Sequence, residues 1–338
     1  MTNPIPPHQV HGGNIDAAVR RFGVPHHQWL DLSTGINPRP YPISAGFLEE
    51  AHWTRLPGAD ALAALNNAAL TCYGAPAEAV IAAAAGSQSL IAAVARTTPA
   101  TRVAVVEPTY SEHALAWRAA GHDVVSIPAI DDAPAEAAFV VLCNPNNPDG
   151  RVHARERLLA EAKRLAARGG ALVVDEAFGD TAPGTSLAPH AGTPGLVVLR
   201  SFGKFFGLAG VRLGFALCEA PPAKTLETAL GPWAVSGPAL AIGTAALDDA
   251  NWIAATRLYL AEQAARLDTV LAGAGLDILG GTDLFRLVQV PGDTAADLAE
   301  RLGEAGILVR TFATHPGWMR FGLPGNGADM ERLGAALN

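Results

Sequence analysis

Ala171-Leu-Val-Val-Asp-Glu-Ala-Phe178 sets an uninterrupted apolar run directly against two carboxylates. An apolar run without alternation is a strand covered on both faces, as in a parallel sheet. The same grammar recurs on either side. Val103-Ala-Val-Val106, Val124-Val-Ser-Ile127, Phe139-Val-Val-Leu142, Leu196-Val-Val-Leu199 and Gly214-Phe-Ala-Leu217 are further strand candidates. Ala/Leu-rich stretches with helical spacing lie between and before them, at residues 62–71, 89–96, 111–120 and 155–168. Short β-rich runs alternating with helices predict an α/β fold, a mostly parallel sheet with helices on both faces.

Farther out the pattern changes. Residues 1–40 are rich in Pro, Gly, His and Asn, with helical periodicity only at 15–22. Such a segment is an arm that needs another surface to be ordered. Pro and Gly punctuate residues 221–238. A long helical stretch follows at 239–274, then a strand at 284–290, a helix at 295–305 and short strands at 306–310 and 318–321. A chain of 338 residues suits two domains. The expected division is an arm at 1–40 joining the small domain, a large domain at 41–235 and a small α+β domain at 236–338.

Composition excludes several function classes. Only 17% of residues are charged, against about 25% in an average protein, and mean hydropathy is +0.20. Yet the longest apolar run, residues 79–85, stops at Gly86-Ser-Gln-Ser89, whereas a membrane span needs roughly 20 residues. The opening Met1-Thr-Asn-Pro-Ile-Pro-Pro7 lacks the basic and apolar regions of a secretion signal. A net charge of −8 gives no footprint for nucleic acid or an anionic membrane, although a few local arginines suffice for a small anion. Cys72, Cys143 and Cys218 are far apart and read as free thiols in a reducing cytoplasm. No metal is expected, since His26-His27 and His8/His11 lack supporting ligand pairs. A phosphate-binding P-loop is also absent, because Val198 stands where its first glycine would precede Gly203-Lys204.

The chemistry collects where strands end, the edge at which open α/β sheets bind ligands. Val103–Val106 runs into Glu107-Pro-Thr-Tyr110, and Phe139–Cys143 into Asn144-Pro-Asn-Asn-Pro-Asp-Gly150. Ala171–Val174 runs into Asp175-Glu176, and Leu196–Arg200 into Ser201-Phe-Gly-Lys204. Gly86-Ser87-Gln88 precedes a helix, which makes a cradle of N–H groups for a phosphate. Taken singly, each has a plainer reading: a turn cluster, a helix cap, a solvated lysine, a wall of the core. Their order along one sheet edge shifts the balance. Pyridoxal phosphate needs a lysine for its Schiff base, an acid opposite the pyridine nitrogen, a phosphate cradle and an aromatic face.

Asn146-Asn-Pro-Asp-Gly150, Asp175-Glu-Ala-Phe178 and Ser201-Phe-Gly-Lys-Phe-Phe-Gly-Leu-Ala-Gly-Val-Arg212 resemble the cofactor motifs of the fold-type I pyridoxal-phosphate enzymes, close to the histidinol-phosphate aminotransferases. The resemblance covers nearly the whole chain. Three further segments, His11-Gly-Gly-Asn14 with Leu30-Asp-Leu-Ser-Thr-Gly-Ile-Asn-Pro38, Pro232-Trp-Ala-Val-Ser236, and Thr314-His-Pro-Gly-Trp-Met-Arg320, resemble the threonine-phosphate decarboxylase subfamily of cobalamin biosynthesis.

The resemblance implies a fold-type I transferase with a seven-stranded-type, mostly parallel sheet, pyridoxal 5′-phosphate as cofactor, and a homodimer. It implies that Lys204 forms the Schiff base and shuttles the proton at Cα. Asp175 would pair with the pyridine nitrogen, Asn147 would donate to the phenolic oxygen, and Tyr110 would stack on the ring. Ser87, Gln88, Ser201 and Arg212 would hold the cofactor phosphate. Arg320 would clamp the substrate carboxylate. His11, the Gly12-Gly13 backbone, Asn14, Gly35 and Arg310 are candidates for the substrate side. The implied reaction is decarboxylation of L-threonine O-3-phosphate to (R)-1-amino-2-propanol O-2-phosphate. An aminotransferase acting on a phosphorylated amino acid such as histidinol phosphate, and a non-catalytic cofactor-binding protein, stand as alternatives. Three positions depart from the family: Asp149 for a usual Thr, Phe178 for a tyrosine that donates to the phenolic oxygen, and Leu56 for the tyrosine of an Arg-Tyr-Pro motif that reaches the partner subunit's cofactor.

Overall fold

The computed structural model describes residues 11–292 and 295–338 of the chain, so His8 lies outside the described residues. Two compact units emerge. The larger comprises Pro40–Asn147 and Arg151–Thr256; the smaller comprises the described residues up to Arg39, Pro148–Gly150 and Arg257–Asn338.

The larger unit is built on a seven-stranded sheet in the spatial order Val80–Ala84, Gly214–Cys218, Leu196–Ser201, Ala171–Asp175, Phe139–Cys143, Arg102–Val106, Asp123–Ile127. All neighbours are parallel except Gly214–Cys218, which runs antiparallel to both strands beside it. Every residue of Ala171–Asp175, Leu196–Ser201 and Gly214–Cys218 is buried, which is why these runs are apolar without alternation. The apolar run at 79–85 is the edge strand Val80–Ala84. Leu90, Ile91 and Val94 of the helix Ser87–Thr97 join Trp117, Val105, Val141 and Val173 in one core.

The reversed strand fixes the geometry of the site. Its first residue, Gly214, is in register with Ser201 on one side and Ala84 on the other. The segments after Ala84 and Ser201 and before Gly214 therefore meet at the edge where the parallel strands end. The sequence pattern alone does not show this.

The larger unit ends at Thr256 rather than near residue 236, because helix Gly237–Asp248 packs on helix Ala59–Cys72. At Gly243 a Cβ would come within 2.8 Å of Leu65, which is how closely the two helices approach. The stretch expected as one helix at 239–274 is two, Gly237–Asp248 and Ala250–Gly273. Asp249 divides them: its Oδ1 accepts a hydrogen bond from Trp252 N at 2.9 Å, capping the second helix.

The smaller unit carries a four-stranded antiparallel sheet in the order Arg310–Phe312, His315–Gly322, Phe285–Gln289, Asp277–Thr282. Its last strand contains Gly280 and Gly281, which dilute the β signal in the sequence. A Cβ at Gly150 would sit 1.9 Å from the Gly281 carbonyl oxygen, so Pro148–Gly150 goes with this sheet. Leu30–Asp31 pairs in parallel with Ile307–Leu308. Before it, helix Ile15–Phe22 is capped by Asn14 and closed by Gly23 at φ 72°. Among the described residues no helix is long and apolar enough to cross a membrane.

Candidate active site

Asp175 closes its strand as a buried carboxylate. Its Oδ1 accepts from Ala177 N at 2.9 Å, and its Oδ2 lies 2.9 Å from Nε2 of the equally buried His113. Burial works against a charge on this imidazole. Cys143 and the Asp175 carboxylate outweigh it and push the His113 pKa up to about 10. Asp175 therefore faces a partner that is cationic at neutral pH. The ligating atoms of His113, Cys143 and Asp175 lie within 4.8 Å of one another.

His113 is a site residue that sequence reasoning missed. It sits one helical turn after Tyr110, at the start of helix Glu112–Ala119, so an aromatic and a histidine three residues apart at a strand end were the available signal. The two rings meet edge to face with centroids 6.0 Å apart. Tyr110 Oη donates to Gln88 Oε1 at 3.1 Å, and Gln88 Nε2 donates to Glu112 at 3.2 Å. Burial first, then the carboxylates of Glu112 and Asp175, raises the Tyr110 pKa and keeps its hydroxyl protonated; Arg212 opposes them.

Ser87 and Gln88 form the first turn of helix Ser87–Thr97, where backbone N–H groups have no helical partner. Gly86 before them has φ 87°, and a Cβ there would lie 2.7 Å from Nη2 of Arg212. A Cβ at Gly214 would lie 2.3 Å from Ser87 N. Arg212 is itself in the left-handed region at φ 55°, with Nη1 donating to Ala209 O at 3.3 Å. Two bare backbone positions thus bring a guanidinium and a helix N-terminus together. Ser201 precedes the short helix Phe202–Phe205, which carries Lys204.

The asparagines of Asn144-Pro-Asn-Asn147 divide their work. Asn144 Oδ1 accepts from His153 N at 2.8 Å, and Asn146 bridges Thr109 and the Pro108 carbonyl at 2.8 and 2.9 Å. Both are buried and brace the loop, while half-buried Asn147 follows them. Phe178 is buried.

Directly after and before the site residues runs a second buried cluster. Arg200 ion-pairs with Glu176 at 2.8 Å and Asp180 at 2.5 Å, and lies over the Tyr73 ring at 4.3 Å. Glu176 also accepts from Ser186 Oγ and Leu187 N at 2.5 and 2.6 Å. Successive side chains on a strand point to opposite faces, so Glu176 and Arg200 brace the strand ends from the side away from Asp175 and Ser201.

The structure therefore brings Ser87, Gln88, Tyr110, Asp175, Ser201 and Arg212 to one sheet edge of the larger unit, with Lys204 and Asn147 in the segments that follow it. The remaining candidates belong to the smaller unit. Arg310 and Arg320 are register partners on neighbouring strands. Arg320 is buried, and its Nη2 donates to the Ser33 carbonyl at 2.9 Å. Burial and the neighbouring Arg310 lower its pKa to about 10, against the pull of Asp31. Gly35 is buried, His11 and Asn14 are half-buried, and Gly12 is exposed. The Asn14 side-chain oxygen is engaged by Ala17 N at 3.1 Å.

The reversed strand thus closes a connection that carries both a lysine and an arginine at the edge where the parallel strands end. The model of the family aminotransferase class I and II matches residues 28–337, and the chain belongs to it. At the level of individual relatives, the chain is 47% identical to the threonine-phosphate decarboxylase of Sinorhizobium sp, over 100% of this chain and 98% of that one. It is 46% identical to the threonine-phosphate decarboxylase of Pseudomonas aeruginosa, over 97% and 96% of the two chains. Its fold matches the crystal structure of histidinol-phosphate aminotransferase from Sinorhizobium meliloti in complex with pyridoxal-5′-phosphate, with a TM-score of 0.79 at 24% identity over 100% and 97% of the chains.

Proposed function

We propose that this chain is a pyridoxal-phosphate enzyme that decarboxylates L-threonine O-3-phosphate to (R)-1-amino-2-propanol O-2-phosphate, a step of cobalamin biosynthesis. The residues fit the cofactor on their own chemistry. A buried carboxylate paired with an imidazolium suits a protonated pyridine nitrogen. The Arg212 guanidinium, drawn close to the bare backbone of Gly86 at the N-terminus of helix Ser87–Thr97, sets a cation beside unpaired helix N–H groups, a donor set that suits a phosphate.

In this reading Ser87, Gln88, Ser201 and Arg212 hold the phosphate. Tyr110 lies against the ring and Asn147 donates to its phenolic oxygen. Asp175 takes the pyridine N–H, and Lys204 carries the cofactor. When bound, pyridoxal phosphate supplies a ring that withdraws electrons from the bonds at the substrate's Cα. Arg320 takes the α-carboxylate, with a fork geometry that suits it. His11, Gly12, Asn14, Gly35 and Arg310 serve the substrate phosphate. Across the reaction the bond between Cα and the carboxylate breaks, CO₂ departs, and Lys204 delivers the proton that Cα requires.

Aminotransferases break the Cα–H bond with the same set of groups, so the motifs do not choose between the two reactions. The observation that carries decarboxylation is the identity, over almost the full length of both chains, with two threonine-phosphate decarboxylases. The decisive measurement is CO₂ release from L-threonine O-3-phosphate with no keto acid present, abolished in Lys204→Ala. Strict dependence on 2-oxoglutarate refutes the reading. A homodimer and a reducing compartment complete it: Trp53, Leu56 and Trp233 are exposed, and Cys72, Cys143 and Cys218 form no disulfide.

A further inference from the structure

Ser33 stands at the meeting point of the arm and the carboxylate-binding strand. It is 1% exposed. Its hydroxyl donates to Asp31 Oδ1 at 2.5 Å and accepts from Gly13 N at 2.7 Å, while its own N–H donates to the same Asp31 oxygen at 2.9 Å. Its carbonyl oxygen accepts from Nη2 of Arg320 at 2.9 Å. The residue before it is tied to the neighbouring strands. Leu32 N donates to Leu308 O, and Gly322 N donates to Leu32 O, each at 2.7 Å. Gly12 lies flat against the same residue, since a Cβ there would come within 2.3 Å of the Ser33 carbonyl oxygen.

We propose that Ser33 is a positioning residue for the substrate: its side chain fastens His11–Gly13 of the arm while its carbonyl aims Arg320, so arm and guanidinium are set by one residue. Only a small side chain that both donates and accepts fits here. Alanine loses both bonds, and a larger residue meets Gly12. Asp31 belongs to the same frame, as a fixed acceptor that orients the hydroxyl toward the arm. Ordering these groups before the substrate arrives removes an entropic cost from binding, and the effect is therefore one on KM.

The proposal rests on the reading of Arg320 as the partner of the substrate carboxylate, and the experiment separates the two. In the holoenzyme, Ser33→Ala raises KM for L-threonine O-3-phosphate about tenfold, the scale of losing the one buried bond that ties the arm, from Gly13 N to the hydroxyl. Its kcat stays within about twofold and its visible cofactor spectrum is unchanged. The near-isosteric Ser33→Cys, a weaker donor, shifts KM the same way and serves if the alanine variant does not fold. With Arg320→Lys, the KM increases of the two single variants multiply to more than the double variant shows, because the hydroxyl bond to Asp31 holds the turn whose carbonyl aims the arginine. Full multiplication overturns the proposal. So does a normal KM in Ser33→Ala when Arg320→Lys raises it. A fall in kcat and cofactor retention together marks general loosening and also overturns it. If Arg320→Lys itself leaves KM unchanged, the carboxylate reading has failed and this inference falls with it.

Discussion

At the scale of single residues, the pairing of Asp175 with His113 has consequences that can be titrated. The imidazole's ordinary pKa of 6.5 rises to about 10 in the folded chain, so folding takes up a proton between those values. The stability this contributes is fully present below pH 6.5 and is lost as pH rises through about 10. Calorimetry of the cofactor-free protein over that range should show a falling Tm, and His113→Asn should flatten the slope. An equal slope in the variant removes His113 as its cause. In the holoenzyme, Asp175→Ala should lower kcat by at least about a hundredfold, on the scale of losing one preorganised electrostatic partner. A single-turnover CO₂ assay checks it. That Asp175, Lys204, Asn147 and Arg212 lie on segments at one edge of the sheet was legible in the sequence, because each sits in a short motif of fixed order. His113 was not. Its partner lies 62 positions away in the chain, and only the sheet brings the two together.

At the scale of elements, two devices hold the strand ends in place. The first is the ion cluster of Arg200, Glu176 and Asp180. Burial raises the Glu176 pKa, and Arg200 with the donors Leu187 N and Ser186 works to hold the carboxylate ionised. Removing one member leaves a buried charge without its counterion. Arg200→Met should therefore cost about 3–5 kcal/mol in urea unfolding, and retention of wild-type stability would count against the cluster as a brace. The second is the glycine pair at the cradle. Gly86→Ala combines a strained φ of 87° with a contact of 2.7 Å to Arg212. It should weaken cofactor affinity by roughly tenfold or more, with a backbone cost of about 1–2 kcal/mol; equilibrium dialysis against pyridoxal phosphate measures the affinity. The strands that read as unbroken apolar runs were legible. Asp277–Thr282 was not, since half-exposed glycines carry no hydrophobic pattern. The break at Asp249 carries no sequence signal either, because a single capping carboxylate inside an alanine-rich stretch looks like a surface residue.

At the scale of the whole molecule, the α/β class and the small α+β unit followed from the alternation of runs, but the change of unit inside Ala250–Gly273 did not. The helix Gly237–Asp248 belongs to the larger unit because it packs on Ala59–Cys72, a contact between segments far apart in the chain. Trp53, Leu56 and Trp233 are 68%, 69% and 59% exposed, and Trp233 holds a φ of 58°. In the proposed homodimer these side chains would be covered by the second copy. Light scattering should give twice the chain mass of 34.9 kDa, and Trp53→Lys with Leu56→Lys should shift the population toward monomer. A monomeric wild-type enzyme at working concentration would rule this out.

The reversed strand Gly214–Cys218 matters for how the site comes into being. Because Ser201 and Gly214 face each other in register, the connection that carries Lys204 and Arg212 is tied shut at its base by the sheet itself. The groups proposed to bear the cofactor and to anchor its phosphate thus share one base in the sheet. A chain severed in that connection, or circularly permuted to open there, would keep its core and that paired base yet lose the covalent link that sets lysine and arginine in step. Termini transplanted to other surface loops of the larger unit would leave that link intact.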